Sequence, residues 1–486
     1  MRPPPMLVAA TAAWSAAAAG TLLPVPLTAA CAVVAAAVAV AVAVAGGRRR
    51  GVLAAIGVGV ALAATSAALH VRSLHSSPLA RLAAHHAAVD VVARLVRDPQ
   101  PADTASGASL TIVDATVVEL LGAHPRRLAT PVLLLSFDPG WSGLLPGQRV
   151  EITGRSEPAR PHDDVAAVID VRGTPRLLGV PSWEERAAGH VRAALLAASS
   201  GLPRDPRGLL PGLVDGDTSR VPGKLQDDMR ATGLTHLEAV SGENLTIVLG
   251  VAMAVVRAAG IRRRGRVVLA GFVVLGFVWL ARPSPSVLRA AVMSAVSLLA
   301  MFTGRRASAM PTLALAVLVL VVVDPFLARS VGFVLSVVAT AGIVVIAPAW
   351  TRRLERSMPR PVAVSLAVPA AAQLACTPVL LLAFGQLTPY SVAANLLAAP
   401  AVAPATVLGL AGAAVASASV PLARPVVWVA AVPTAAVAWT AHGFAALPGA
   451  AVVVSRPVAT VLAVGVSAWL WRIVKRGLRT SSREIL

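Results

Sequence analysis

At 486 residues, with 56% apolar side chains and a mean hydropathy of +0.75, the chain is too apolar for an ordinary soluble enzyme and reads as a polytopic membrane protein. Its formal charge of +20 suggests a polyanion partner, but much of the excess sits in short clusters beside apolar runs, where topology alone accounts for it. Cys31 and Cys376 each fall within an apolar run, which excludes a disulfide framework and leaves two thiols expected as small core residues.

Residues 6–25 and 27–45 form two Ala/Val-rich runs divided by Pro24 and Pro26, and Arg48, Arg49 and Arg50 precede a third run at 52–69. The first run is read as a retained span rather than a signal peptide, because only Arg2 precedes it and a second span follows at once. With the three arginines inside, the amino terminus is cytoplasmic and the third span leads outward. Residues 70–97 set Leu74, Leu79, Leu82, Val89, Val92 and Leu95 among basic residues and histidines, a pattern that predicts an amphipathic helix leaving the membrane surface. His85 and His86 are adjacent, share no helix face and are expected as solvated surface.

From Ser109 the period changes to that of strands. SLTIVDATVVEL, TPVLLLSF, RVEITGR, AAVIDVRG and PRLLG are β-branched runs divided by Pro, Gly and Asp, and they predict a small exterior barrel of the OB type within a domain at 70–181. Such barrels often track single strands through a basic groove with exposed aromatics. Between Asp98 and Pro181, however, seven arginines face ten acids, and Phe137 and Trp141 are the aromatics. The charge favours a structural or gating domain over a strong DNA-binding one. Residues 182–233 then read as surface helices and linker: Ser182 with Glu185 has the spacing of a capping box, and the stretch beyond is too polar to span and too apolar for a free linker.

At RATGLTHLEAVSGENLTIVLG, residues 230–250, polar sequence turns into membrane-spanning sequence, with His236, Glu238, Ser241, Glu243 and Asn244 at the mouth of an apolar run. Polar groups at membrane depth are costly unless protein or water satisfies them, so the cluster marks a cavity or path. Gly233 and the Ser241-Gly242 pair argue against one continuous helix here. Further runs at 235–256, 267–281, 287–302, 311–323, 332–350, 362–384, 391–415, 426–444 and 457–471 make a bundle at 234–472, followed by a basic cytoplasmic tail at 473–486. Alternation from the third span places the basic clusters near Arg257, Arg305, Arg352 and Arg472 inside, which predicts an all-α bundle of about twelve spans with both termini cytoplasmic. Several runs are shorter than a perpendicular span, which predicts broken or re-entrant helices.

Within the bundle, Arg282 falls at an outer helix end, and Arg289 lies inside a span where it needs an acid or water; Glu243 or Glu238 is its expected partner. Gln373, Thr377 and Asn395 are expected to hydrogen-bond between helices, and Gly304, Gly332 and Gly342 to serve close packing. Pro378, Pro400 and Pro404 interrupt spans. No GxxxxGK phosphate loop and no HExxH pattern occur, and VSGEN lacks the GxSxG elbow of a serine hydrolase. The chain is therefore read as a non-enzyme, with no catalytic, metal or cofactor site and with a path formed by His236, Glu238, Ser241, Glu243, Asn244, Arg282, Arg289 and Asn395.

The stretch RATGLTHLEAVSGENLTIV resembles the signature of the ComEC competence family, through Gly233, Leu234, His236, Leu237, Ala239, Val240, Ser241 and Gly242. Similar blocks follow in order: GDTS from Gly216, RPSPSVLRAAVM from Arg282, TGRR from Thr303, DPFLARSVGFVLSVVATAGIV from Asp324 and FGQLTPYSVAANLLAAP from Phe384. The resemblance extends over residues 205–445 and implies a membrane channel that passes single-stranded DNA across the cytoplasmic membrane in natural transformation. It also implies a DNA receptor outside, a motor protein inside and contact with membrane lipids. Larger members carry a metallo-β-lactamase-like domain taken to be a nuclease; this chain is expected to lack it, so that strand degradation falls to another protein. Glu243, where the family commonly has a small or apolar residue, makes the mouth more acidic. The same polar mouth also suits a secondary transporter or envelope protein for a small or lipid-linked substrate, or a purely structural membrane subunit.

Overall fold

The computed structural model describes residues 5–44, 48–103, 109–122, 125–141, 143–238, 240–282, 285–303 and 308–480. Arg2, Ala239, Pro283, Ser284, Gly304, Arg305, Arg306 and Arg483, which enter the expectations above, lie outside the described residues. The chain divides into two compact units: Ser15–Val191 with Val322–Phe326, and Met1–Trp14 with Arg192–Val321 and Leu327–Leu486. Helix α1 (Pro5–Gly20) runs from one into the other.

The first of these units opens with α2 (Val25–Val44) and α3 (Arg48–His75), packed as a hairpin. A Cβ on Gly57 would meet Ala39 Cβ at 2.8 Å, so small side chains let the two backbones approach. Cys31 is exposed on α2 instead of lying in a core, since it faces away from that contact. The amphipathic helix expected at 70–97 is not one element. Ser77 caps the short α4 (Pro78–Ala84) by accepting from Leu79 N, and the chain then extends into β1 (Ala88–Leu95). Val89, Val92 and Leu95 follow a helical spacing, yet neighbouring strands on both sides complete the hydrogen bonds of β1, and tertiary pairing overrides local pattern. His85 and His86 are exposed.

The other strands are β2 (Gln100–Asp103), β3 (Ser109–Leu120), β4 (Arg126–Ser136), β5 (Arg149–Pro158), β6 (Ala167–Val171) and β7 (Arg176–Leu178). Strands β1, β3, β4, β6 and β5 form a ring that closes through β1 against β5, with β4 and β6 parallel and the other pairs antiparallel. Closure removes the free edges an open sheet would present. PRLLG is not a barrel strand: β7 pairs with β5 alone, and β1 takes the fifth place. Val91, Val113, Leu134 and Ile169 fill the interior, together with Leu79 and Ala83 of α4. Trp141 is fully buried among them, which leaves only Phe137 of the two expected aromatics exposed.

The larger unit is helical. Its elements are α5 (Trp183–Ser199), which starts in the barrel unit, α6 (Arg204–Asp215), α7 (Gly223–Ala231), α8 (Gly242–Ala258), α9 (Arg263–Ala281), α10 (Pro285–Phe302) and α11 (Ala309–Val323). They continue with α12 (Val331–Val345), α13 (Ala347–Leu354), α14 (Arg360–Phe384), α15 (Ser391–Ala418), α16 (Val420–Ala445) and α17 (Arg456–Thr480). A two-stranded ribbon, β8 (Gln386–Leu387) with β9 (Val452–Val453), ties the turn after α14 to that after α16. Ser182 Oγ accepts from Glu185 N at 3.3 Å, as the capping spacing predicts. The stretch after α5 is not a surface linker. Residues 206 and 208–215 of α6 are buried, and Leu209 and Leu213 pack with Leu225 and Met229 of α7 against Ala398 and Val402 of α15 and Val437 of α16.

Among the described residues, α2, α3, α9, α14, α15 and α16 have the length and hydropathy to cross a membrane, and α12 with α13, bent by 42°, makes up to seven. The expected count of about twelve is not confirmed: Met6–Gly20, Ser286–Phe302, Ala309–Val323 and Arg456–Leu470 are further apolar stretches of 10–17 residues among the described residues, and α8 starts only at Gly242. A perpendicular crossing takes about 20 residues. Close helix packing relies on selected glycines. A Cβ on Gly342 would meet Ala375 Cβ at 2.6 Å and the Ala371 carbonyl at 2.8 Å, whereas nothing lies within 4 Å of one on Gly332, contrary to its expected packing role. Gly342→Leu is therefore expected to cost about 1–3 kcal/mol by overpacking α12 on α14. Gly332→Ala is expected to be neutral or to stabilise by up to about 1 kcal/mol, read as thermal unfolding in detergent.

Candidate functional site

The site is built on a broken helix. Helix α7 ends at Ala231, Gly233 turns the chain with φ 71°, a single 3-10 turn holds residues 235–237, and α8 begins at Gly242. Each break frees backbone groups that need partners. Ser241 supplies them at α8 by capping: its Oγ accepts from Glu243 N at 3.2 Å and Asn244 N at 3.4 Å. Asn244 is fully buried and donates through Nδ2 to the Leu213 carbonyl of α6 at 2.8 Å. At Gly233, a Cβ would meet Ser391 Cβ at 2.8 Å and Thr388 Oγ1 at 3.2 Å, so this turn seats against the start of α15.

That seating brings His236 to Asn395. His236 lies within hydrogen-bonding reach of the Gly233 backbone and the Asn395 side chain, and Glu243 acts on it electrostatically. The His236 residue is exposed to solvent. Glu243 is exposed beside it. Gln373 of α14 donates to Thr388 Oγ1 at 3.4 Å, which adds a polar contact beside the Gly233 turn, while Thr377 bonds to the Gln373 carbonyl within its own helix.

Other expected members stand apart from this group. Arg289 does not pair with Glu243 or Glu238: its Nε donates to Ser336 Oγ at 2.9 Å and its Nη1 approaches Met293 Sδ at 3.4 Å. Glu238 lies in the connector before α8, and Glu243, in the first turn of α8, is near enough to His236 to act on it electrostatically. Arg282 ends α9 in a left-handed conformation, φ 62°, that strains a residue bearing a Cβ. Glu238 sits in the connector before α8 with Oε1 buried and without a hydrogen bond. Burial raises its pKa from 4.5 to about 7.

Three residues that local sequence did not mark complete the region. His442, near the end of α16, lies between two carboxylates: Nδ1 is 2.6 Å from Asp228 Oδ2 of α7, and Nε2 is 3.0 Å from Asp205 Oδ2 of α6. The contacts fasten both short helices to α16. No sequence signal announces them, because the histidine lies 214 and 237 residues from its partners. Among the described residues, no group of three or more His, Cys, Asp or Glu is placed to hold a metal.

Glu238 generates a pH test. Between its unfolded value near 4.5 and its folded value of about 7, the folded protein binds the extra proton, so stability falls as pH rises through this window. Glu238→Gln is expected to melt at a higher temperature than the parent above pH 7, with the difference vanishing below pH 4.5. A gain independent of pH would show that burial of this carboxyl is not the cause.

Comparison with known proteins follows the same segments. Over 200 residues the chain is 30% identical to ComE operon protein 3 of Bacillus subtilis (strain 168), a match covering 41% of this chain and 25% of that protein. The match thus spans a quarter of the relative's length. No solved structure matches. A family profile described as Competence protein matches residues 213–479, from the end of α6 through α17 and including the whole broken-helix site. With more than half of its residues matched, the chain belongs to the competence protein family.

Proposed function

We propose that the chain is a cytoplasmic-membrane channel for the uptake of single-stranded DNA in natural transformation. Family membership and the operon name of the relative support a role in competence. The observation that carries the channel reading is the convergence of His236, Glu243 and Asn395 at a solvent-exposed helix break. Irregular backbone is tolerated inside a membrane bundle where it lines a cavity, and here it is braced by α6, α8 and α15.

The other parts fit this reading. The closed five-stranded ring, with its one parallel pair, supports the OB-type reading of the barrel. Its buried Trp141 and net acidic count favour a structural or gating role over strong strand binding. This reading puts both termini on the cytoplasmic side, where a motor protein draws the strand inward, with a receptor delivering DNA from outside. Conduction rather than catalysis is supported by Ser241, whose Oγ is engaged in capping α8 and lies beside Asn244 instead of His236.

Asn395→Leu and His236→Phe are expected to lower uptake of labelled DNA by about tenfold or more at unchanged membrane abundance, since an apolar plug replaces a hydrated wall. Uptake in cells with and without the gene sets the scale. Equal uptake in the two overturns the channel reading.

A further inference from the structure

Helices α2 and α3 leave a groove of about 280 Å³ along their hairpin. On α3 its wall is Thr65, Ala68, Leu69 and Arg72, at the i, i+3, i+4 and i+7 positions of one helix face, and on α2 it runs from Val25 to Ala36. Ala32 and Ala68 are buried and form the floor, while Ala29 and Leu69 stay exposed. Thr65 and Arg72 are the two polar residues in a lining that is otherwise apolar. Such a groove suits a ligand with an apolar part and an anionic part, and the place of the cation decides how that ligand lies.

Both helices have the length and hydropathy to cross a membrane. The hairpin sets Gly57 of α3 against Ala39 of α2, and counting outward along both helices brings Arg72, in the last turn of α3, beside the start of α2. From there the groove descends to Ala36. At about 1.5 Å per residue this is about 16 Å along α2, against about 15 Å for half of a hydrocarbon core. The groove thus has the length of one leaflet, with its cation at the surface end and its apolar stretch toward the middle of the span. A helix C-terminus favours a cation in this turn. It does not use up the guanidinium, which is exposed and has no hydrogen-bond or ion-pair partner among the described residues. Neither helix contains an acid that could take it.

We propose that the groove binds one anionic phospholipid, with an acyl chain laid between α2 and α3 and the phosphate held by Arg72. A guanidinium offers a planar fork of donors that matches two phosphate oxygens. The apolar lining takes the chain, and the leaflet length orients the molecule as a bilayer does. The anionic class follows from charge: the rim carries Arg72 with His75 in the same turn, and a choline headgroup would bring a further cation to it. The assignment does not rest on the channel reading, and its test involves no transport.

The full chain is purified in a neutral detergent, freed of lipid and titrated with phosphatidylglycerol or with phosphatidylcholine of the same acyl chains, the first lipid bound being followed by native mass spectrometry. The parent is expected to bind phosphatidylglycerol about tenfold or more tightly than phosphatidylcholine, a charge-assisted pair being the difference. Arg72→Gln is expected to remove that preference and leave phosphatidylcholine binding as it was. Ala29→Phe, at an exposed position in the groove, is expected to weaken binding of both lipids by filling the place of the chain. Both variants are expected to melt with the parent in lipid-free detergent. A preference for phosphatidylglycerol that survives Arg72→Gln overturns the site, as does parental affinity for both lipids in Ala29→Phe. A parent that is dimeric in lipid-free detergent and becomes monomeric on Ala29→Phe shows the groove to be a contact between copies, and overturns the lipid site as well.

Discussion

The broken helix between Ala231 and Gly242 is the constraint on which the helical unit depends. In a bundle surrounded by lipid, every interrupted turn exposes amides and carbonyls that water cannot reach freely. Here Ser241 covers two amides of α8, and Asn244 reaches across to the Leu213 carbonyl of α6. The backbones also touch, for a Cβ on Gly212 of α6 would fall 2.1 Å from the Glu238 carbonyl. Helix α6, the connector, α8 and the start of α15 thus form one interlocked set. That interlock holds His236 beside Asn395.

The two units are stabilised differently. The barrel closes its hydrogen-bond ladder on itself and fills its interior with Val, Leu, Ile and the single Trp141. The helical unit buries large side chains around α6 and α7, among them Leu209, Leu213, Leu225 and Met229, and elsewhere gains from close approach, as at Gly342 against Ala371 and at Gly409 against Val214. Where apolar burial gives no preference for helix over lipid, dispersion between closely set backbones is the main attraction. This explains how an Ala-rich chain packs specifically, and why glycines with open surroundings carry no such duty.

Charge follows a similar division. His442 is held between Asp205 and Asp228, which ties polar helices to an apolar one. His236 has a neutral amide and one exposed acid for company. Arg289 has a hydroxyl and a thioether. The first arrangement is closed within the protein, and the other two leave hydrogen-bonding capacity that a polar cargo can use. An open inventory of this kind distinguishes a site from a brace.

The sequence by itself determined the membrane class, the strand character of most of the barrel, the helix break and the residues grouped at the mouth, because each depends on composition or on neighbours a few positions apart. Gly233, Ser241 and Gly242 announced the break through their backbone preferences alone. Only the tertiary structure decided that residues 88–95 form a strand, that α6 is buried, that Arg289 lacks an acid and that His442 joins two helices. The 42° bend between α12 and α13 belongs to the same group. These outcomes turn on partners tens to hundreds of residues away, and pairing energy between distant segments leaves no trace in local pattern.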